Sequence, residues 1–407
     1  MLFANGCAAP ASRWLKGNLH THSLWSDGDD FPEMVVDWYQ QHGYDFVALS
    51  DHNQLAEGER WVRIGAPWDD AEVALAAYVR RFGESWVQRR TLDDTLYVRL
   101  RTFEEYRSLL EVPGRFLVIQ SEEITDAFQQ KPVHLNATNV RELVPPQGGT
   151  SVRDVIQRNV DAVLAQRETT GQAMFPHLNH PNFGWAVTVE DIIPLRGERF
   201  FEVYNGHPAV HNEGDGDRPG TERMWDIVLT ERLRHGDDLM FGLAVDDAHA
   251  YRVSHATQAN PGRGWVMVRA ATLSADAVIR AMEAGDFYAT NGVVLDDVVR
   301  TAEFLRVHVR PERGVEYRIE FVGTRHGVPS PRPLDAAGDG DAVRRRYDAR
   351  FGEVLQSTAG PSATYRFRGD ELYVRAKVTS SKPKANPYRA GEMEMAWTQP
   401  VAPGGSR

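Results

Sequence analysis

Short apolar stretches, each closed by polar residues, recur through the first two thirds of the chain, at residues 14–19, 45–49, 115–120, 133–137, 172–175, 200–204 and 239–245. They are apolar at nearly every position rather than at alternate ones, which predicts seven buried parallel strands. Helical patterns separate most of them. Asp30 opens a helix over 31–42, with Pro32 near its first turn and Gly43 at its end, and Ser151, with Asp154 three residues on, opens one to about residue 168. A third helix is expected over 221–234. Strands alternating with helices in this way predict an α/β fold built like a barrel.

Two regions break the alternation. Residues 53–114 read as a mostly helical insertion over one face, with a helix over 69–82, a polar strand over 95–101 and a short helix over 102–110. After residue 251 come a strand over 265–269 and a helix over 274–284 ended by Gly285. From about residue 301 the stretches LRVHVR, EYRIEFV, TYRFRG and LYVRAKV alternate with one wet face, predicting a small antiparallel β domain over 301–400 beside a barrel over 14–300. Residues 328–341, with three prolines and three aspartates, read as an exposed loop, and 401–407 as a disordered tail.

Composition narrows the function classes. With 407 residues, 42% hydrophobic and 25% charged, the chain can bury a sizeable core. Its 46 basic against 57 acidic residues leave a net charge of −11, which argues against wide capture of nucleic acid or of an anionic membrane. No run approaches the roughly 18 apolar residues of a membrane span. The N-terminus lacks a basic region followed by an apolar one, so a cytoplasmic location is expected, with a removed leader left open. Cys7 is the single cysteine, so a metal site here must use His, Asp and Glu.

The placement of the 14 histidines carries most of the information. Eight lie in or just after one of the seven runs: His20, His22, His52, His134, His177, His180, His207 and His249. In a barrel they converge at the carboxyl end of the strands, where barrel enzymes carry their sites. The other six read as packed or solvated side chains. NLHTHSLWSDG puts two imidazoles on one side of a strand end and returns Asp27 from the loop. VALSDHN offers His52, with Asp51 able to fix its ring tautomer. Adjacent Glu122 and Glu123 face opposite ways in extended chain, so one faces the site, where a carboxylate can bridge two metals. VHLNA, FPHLNHPNFGW and FGLAVDDAHAY add His134, His177 with His180, and Asp247 with His249, while Asp246 points away. Each motif alone is weak. Together, imidazole and carboxylate without thiolate suit zinc, manganese or iron(II).

The ordered set HTH, SDHN, SEEIT, NHP and DDAH resembles the polymerase and histidinol phosphatase (PHP) superfamily of metallohydrolases. GNLHTHSLWSDG, NHPNFGW and WVMVRAATLSADAVIRAMEAGDFYATNG are most similar to its carbaryl-hydrolase branch, and the likeness covers about residues 14–300. It implies a distorted (β/α)7 barrel and two or three divalent ions. The implied ligands are His20, His22, Asp27, His52, Glu123, His134, His180, Asp247 and His249. It further implies one ion at His20, His22, Glu123 and Asp247, one at Glu123, His134 and His180, and one at Asp27, His52 and His249.

The activity expected is hydrolysis at a polynuclear centre, with Glu123 bridging and Asp247 or His249 moving the proton. Arg252, Arg263, His177, Asn205 and His207 are candidate substrate contacts. A small-molecule phosphate ester is the favoured substrate. A carbamate, carboxyl ester or amide is the alternative, for which Trp61, Trp68, Tyr78, Phe82, Trp86 and Tyr97 of the insertion could wall an apolar pocket. A non-catalytic metal module is the competing class, although all nine positions hold ligand-capable residues. No extended nucleic-acid binding and no membrane association are expected, and a homo-oligomer is possible. Asp246→Ala is expected to be much milder than Asp247→Ala.

Overall fold

The computed structural model describes residues 12–65, 71–333 and 345–403. Cys7, Trp68, the first residues of the 69–82 helix, most of the 328–341 loop and residues 404–407 lie outside them. One thirteen-stranded sheet organises the chain, and its strands are numbered here in chain order: β1 (Arg13–Asn18), β2 (Phe46–Leu49), β3 (Leu117–Phe128), β4 (Lys131–Thr138), β5 (Phe175–Leu178), β6 (Phe200–Asn205), β7 (Phe241–Val245), β8 (Trp265–Ala270), β9 (Phe287–Thr290), β10 (Tyr317–Arg325), β11 (Glu353–Ala359), β12 (Glu371–Pro383) and β13 (Met393–Thr398). The spatial order is β7-β6-β5-β4-β3-β2-β1-β8-β9-β13-β12-β10-β11. The mixed α/β character and the seven apolar runs correspond to β1 to β7.

Parallel pairing holds for β1 with β2, β2 with β3, β5 with β6 and β6 with β7. β4 is the exception. It runs antiparallel to both β3 and β5, correcting the all-parallel expectation. Only Gln129 and Gln130 separate β3 from β4, with Gln129 at φ 56°, and two residues can reverse a chain but cannot carry the crossover that parallel neighbours need. The reversal places the beginning of β4, and hence His134, at the same end of the sheet as the carboxyl ends of its parallel neighbours. β5 also begins three residues later than expected, because Gly171 ends the preceding helix in the left-handed region (φ 68°) and 172–174 return the chain to the sheet.

The carboxyl ends of β1 and β7, at opposite positions in the sheet order, meet through a parallel bridge between Thr21 and Ala248. His22 donates its amide to Ala248 (3.0 Å), and Asp247 donates to His20 (3.0 Å). Seven strand ends are therefore gathered at one end of the molecule.

Helices Pro32–Gln41, Val152–Thr170, Thr221–Arg234 and Ala275–Glu283 follow the sequence pattern. Ser151 caps the second as expected, its side chain accepting from Asp154 N–H. Asp30 does not cap the first: Phe31 holds the cap position, and Asp30 accepts from the Phe31 amide (2.9 Å) just before it. Residues 53–114 contain helices Ala71–Phe82 and Phe103–Leu110, together with a three-stranded antiparallel sheet of Arg60–Arg63, Thr95–Leu100 and Arg89–Leu92. The aromatics there are largely core: Tyr78 stacks on Phe31 at 4.1 Å, and Trp86 Nε1 donates to the buried Glu33 (2.8 Å).

The C-terminal strands are antiparallel, as their alternation predicts, but β13 pairs with β9, so they prolong the central sheet. A second sheet, Leu295–Arg300, Phe304–Val309 and Ser362–Arg366, packs on them through Leu305, Val307, Tyr365, Ile319, Phe321 and Val378. One buried ion pair clamps this extension to the Thr221–Arg234 helix. Arg375 on β12, 2% exposed, donates to both Asp226 oxygens (2.8 Å each), and Tyr373 adds a third bond (2.7 Å). Asp226→Ala leaves that buried guanidinium with Glu222 at 3.5 Å as its remaining carboxylate among the described residues, and it is expected to lower the unfolding free energy by about 3 kcal/mol in urea titrations. An unchanged midpoint would show that the clamp contributes nothing.

Candidate metal centre

His20 and His22 follow β1 two residues apart, both fully buried. The chain then turns back on itself, with Gly28 donating to Ser23 (3.0 Å), and brings Asp27 Oδ1 to 3.7 Å from His22 Nδ1. Only glycine allows this turn, because a Cβ on residue 28 would stand 2.7 Å from the His22 carbonyl. Asp51 holds the same turn, accepting from Ser23 N–H and Oγ (2.8 Å each) and Ser26 Oγ (2.6 Å). It therefore does not set the His52 tautomer. His52 Nδ1 instead lies 2.9 Å from Glu123 Oε2 and against Thr125 Oγ1.

On β3 the two glutamates part as extended chain requires. Glu122 accepts from Val144 N–H (2.6 Å), and burial pushes its carboxyl up to about 8. Glu123, fully buried, sits among imidazoles. Its Oε2 lies 3.4 Å from both His20 Nε2 and His22 Nε2, while its Oε1 lies 3.0 Å from His134 Nδ1 and 3.2 Å from His180 Nε2. Burial raises the Glu123 pKa, but His20 and His134 outweigh it and hold the carboxyl well below the usual range.

Asp247 adopts φ 49°, a left-handed conformation rare for a residue with a side chain. Its Oδ1 lies 3.3 Å from both His20 Nε2 and His22 Nε2, and Asn205 donates to its Oδ2 (3.1 Å). His20 Nε2 and His22 Nε2 are themselves 3.1 Å apart. The two imidazole nitrogens thus stand 3.1 Å apart, and each lies 3.3 to 3.4 Å from Glu123 Oε2 and Asp247 Oδ1. Nitrogen and oxygen ligands that share a zinc ion at about 2.0 Å stand roughly 3.3 Å apart, the separation found here between each imidazole and each carboxylate. Four converging lone-pair donors repel one another unless a cation or protons lie between them, so this donor set fits a divalent ion.

A second group is His22, Asp27, His52 and His249, whose donor atoms lie within 4.8 Å of one another. Asp27 Oδ1 is 3.4 Å from His249 Nε2, and Oδ2 is 3.5 Å from His52 Nε2. It is the most open group, the Asp27 side chain being 56% exposed. His134 and His180 on Glu123 Oε1 form the third. All nine candidate ligands are accordingly brought together, and Glu123 joins the groups through its two oxygens.

Sequence reasoning missed Glu202. This fully buried acid on β6 receives His20 Nδ1 (2.6 Å), His177 Nε2 (3.3 Å), the His180 amide (2.8 Å) and Asn205 (2.8 Å). A carboxylate can only accept, so the neutral His20 ring carries its hydrogen on Nδ1 and turns the Nε2 lone pair to the centre. The available signal was a lone acid within the apolar run FFEVYN. Asn179, donating to Glu123 Oε1 (2.7 Å), was also missed.

Four substrate candidates move. Arg263 is fully buried and donates to the carbonyls of Gly206 (3.0 Å), Gln258 (2.5 Å) and His255 (3.1 Å), so it ties loops together and cannot meet a ligand. His177 is bound to Glu202, and Asn205 holds Asp247 and Glu202, both from buried positions. Arg252 pairs with Asp29 at 3.4 Å. His207 alone keeps its place, lining a cavity of about 710 Å3 over the centre with Asp27, His52, Glu123, His134, His180, Phe183, Asp247, His249 and Tyr388. Asp246 does point away, but it accepts from Asn18, Tyr39 and the amides of Gly262, Arg263 and Gly264 (2.6 to 2.9 Å).

Among the described residues no helix is long and apolar enough to cross a membrane. The chain matches no protein-family model and no curated protein. Among solved structures it is similar to a two-domain Bacteroides vulgatus protein containing a predicted PHP-like metal-dependent phosphoesterase, at 14% identity over 98% of this chain and 100% of that one, with a TM-score of 0.39. A Bifidobacterium adolescentis protein assigned as a metal-dependent phosphoesterase aligns at 14% identity over 57% and 87% of the two chains, with a TM-score of 0.26. An amidohydrolase from Chromobacterium violaceum with bound sulfate and no metal aligns at 13% over 58% and 88%, with a TM-score of 0.29.

Metal analysis of the purified protein is expected to find at least two equivalents per chain. Glu123→Ala should lose more than one of them, whereas Asp27→Ala should release only the open one; full loading of Glu123→Ala would refute the shared carboxylate. Asp246→Ala, expected to be much milder than Asp247→Ala in loss of metal and activity, strips the acceptor from five buried donors and should cost about 3 kcal/mol or more of stability in a denaturation curve.

Proposed function

We propose that this chain is a metal-dependent hydrolase of the PHP type acting on small-molecule esters, with phosphate esters as the first substrate class. The observation that supports it most is the convergence of His20 and His22 on Glu123 and Asp247, with Glu123 shared with His134 and His180. In this reading β1 to β7 form a distorted barrel within residues 14–300, and 301–400 are an appended β unit. Divalent ions held by these donors would supply Lewis acidity to the ester and would lower the pKa of water toward neutrality.

The chain's own residues account for the remaining steps. Glu202 fixes the His20 tautomer, and Asn205 holds one Asp247 oxygen so that the other stays with the histidines. His207 Nδ1 accepts from the Ala209 amide (3.1 Å), so its hydrogen resides on Nε2. Burial lowers the His207 pKa and keeps the ring neutral, so its Nε2–H is a hydrogen-bond donor on the cavity wall for a leaving oxygen. His249, also on that wall, meets Asp27 through Nε2 and the Asp247 carbonyl through Nδ1 (3.0 Å), so both its nitrogens are engaged and it stands among the ligands.

A second reading has a specific observation in its favour. None of the residues lining the cavity is Lys or Arg, while Phe183, Pro208, Ala209 and Ala259 are apolar. A neutral carbamate, carboxyl ester or amide would find no missing counter-charge there. Turnover of p-nitrophenyl phosphate, bis-p-nitrophenyl phosphate and a naphthyl carbamate measured side by side decides the order, and carbamate turnover alone reverses it. His207→Ala is expected to lower kcat about a hundredfold with metal content unchanged. An unaffected kcat would remove His207 from this role.

A further inference from the structure

The cavity over the metal centre is completed by a residue from the far end of the chain. Tyr388 lies in the segment between β12 and β13, more than a hundred positions beyond the last metal ligand, yet it lines the same cavity as Asp247 and His249. Its hydroxyl donates to Glu213 (2.7 Å) and accepts from Asn212 (3.2 Å), both in the loop after β6. Asn212 in turn brackets Asn205, the partner of Asp247, accepting from its amide (3.1 Å) and donating to its carbonyl (2.8 Å).

The segment that carries Tyr388 is anchored at both ends. Lys384 and Glu392, both buried, close it through a hydrogen bond from the Lys384 amide to the Glu392 carbonyl (2.9 Å) and an ion pair (3.3 Å), and each also meets the Tyr204 hydroxyl. Between them, Asn386 donates to Pro261 (2.9 Å), and its carbonyl accepts from Arg263 (3.3 Å) in the loop after β7. Glu392 also accepts the Tyr388 amide (3.2 Å). The ring is thus held by a fixed strap that ties the loops after β6 and β7, and it is half-buried rather than packed away.

On the same cavity Phe183 lies with its ring centre 5.2 Å from His180 and 6.3 Å from His207. Two aromatic rings with no cationic side chain among the lining residues suit a flat, uncharged substituent and offer nothing to a second anionic group. We propose that Tyr388 is a specificity-determining residue of this site, and that the strap of the C-terminal extension selects esters bearing an uncharged aryl group. The inference rests on the hydrolase reading above and names its substrate class.

Binding rather than turnover tests it. Phenylphosphonate and methylphosphonate, which cannot be hydrolysed, are titrated calorimetrically into the manganese-loaded full chain, into Tyr388→Ala and into Tyr388→Phe. The wild type is expected to bind the phenyl compound about fivefold tighter, Tyr388→Phe to keep the preference and Tyr388→Ala to lose it, with methylphosphonate affinity and metal content alike in all three. An equal preference in Tyr388→Ala, or none in the wild type, overturns the role of Tyr388. Failure of the loaded wild type to bind either compound overturns the phosphate-ester reading and the aryl selectivity built on it. Preferential binding without turnover of any ester would refute the hydrolase reading and leave the aryl subsite standing.

Discussion

Everything at this site depends on one buried carboxylate. Glu123 is fully enclosed, and an isolated charge there would be prohibitively costly, so it exists only because imidazoles approach both of its oxygens. The dependence is mutual. Burial alone would push the His20 ring to its neutral form, and Asp247, Glu202 and Glu123 reverse this and hold its pKa well above the ordinary value. For His22, burial and the neighbouring His249 prevail and lower it to about 3. Such a cluster is an electrostatic trap for cations, which bind all of its lone pairs at once where protons must be shared out singly.

The fold concentrates these groups by topology rather than by any one element. Parallel strands deliver their carboxyl ends to one side, and the bond between the ends of β1 and β7 brings the first and last of them together. The reversed β4 would spoil this for a ligand at its own carboxyl end. Its ligand, His134, stands instead near its beginning, paired in register with Thr125 of β3 and two positions from the residue opposite Glu123. Direction and ligand position change together, so the donor reaches the same place.

Around that centre lies a scaffold of buried polar side chains that hold the ligands without forming the cavity wall. Asp51, Glu202, Asp246 and Asn205 are each satisfied by several bonds, and each orients a ligand or the loop that carries one. The C-terminal strands belong to this scaffold as well. They continue the central sheet through β9 and β13, are clamped by Asp226 and Arg375, and return Tyr388 to the cavity, so the extension is part of the site's construction.

Much of this was legible in the chain itself. Apolar runs marked β1 to β7, Ser151 marked the start of its helix, and the rule that neighbours in a strand face opposite ways separated Asp247 from Asp246 and put one of Glu122 and Glu123 at the site, the family resemblance choosing Glu123. These are local consequences of period and side-chain direction, which neighbouring residues decide alone. What the chain could not reveal depends on pairings between distant segments. The reversal of β4, the work of Glu202 behind His20, the burial of Arg263 among carbonyls and the arrival of Tyr388 all follow from which surfaces meet. A buried donor takes whichever acceptor the packing puts within about 3 Å, whatever its distance along the chain.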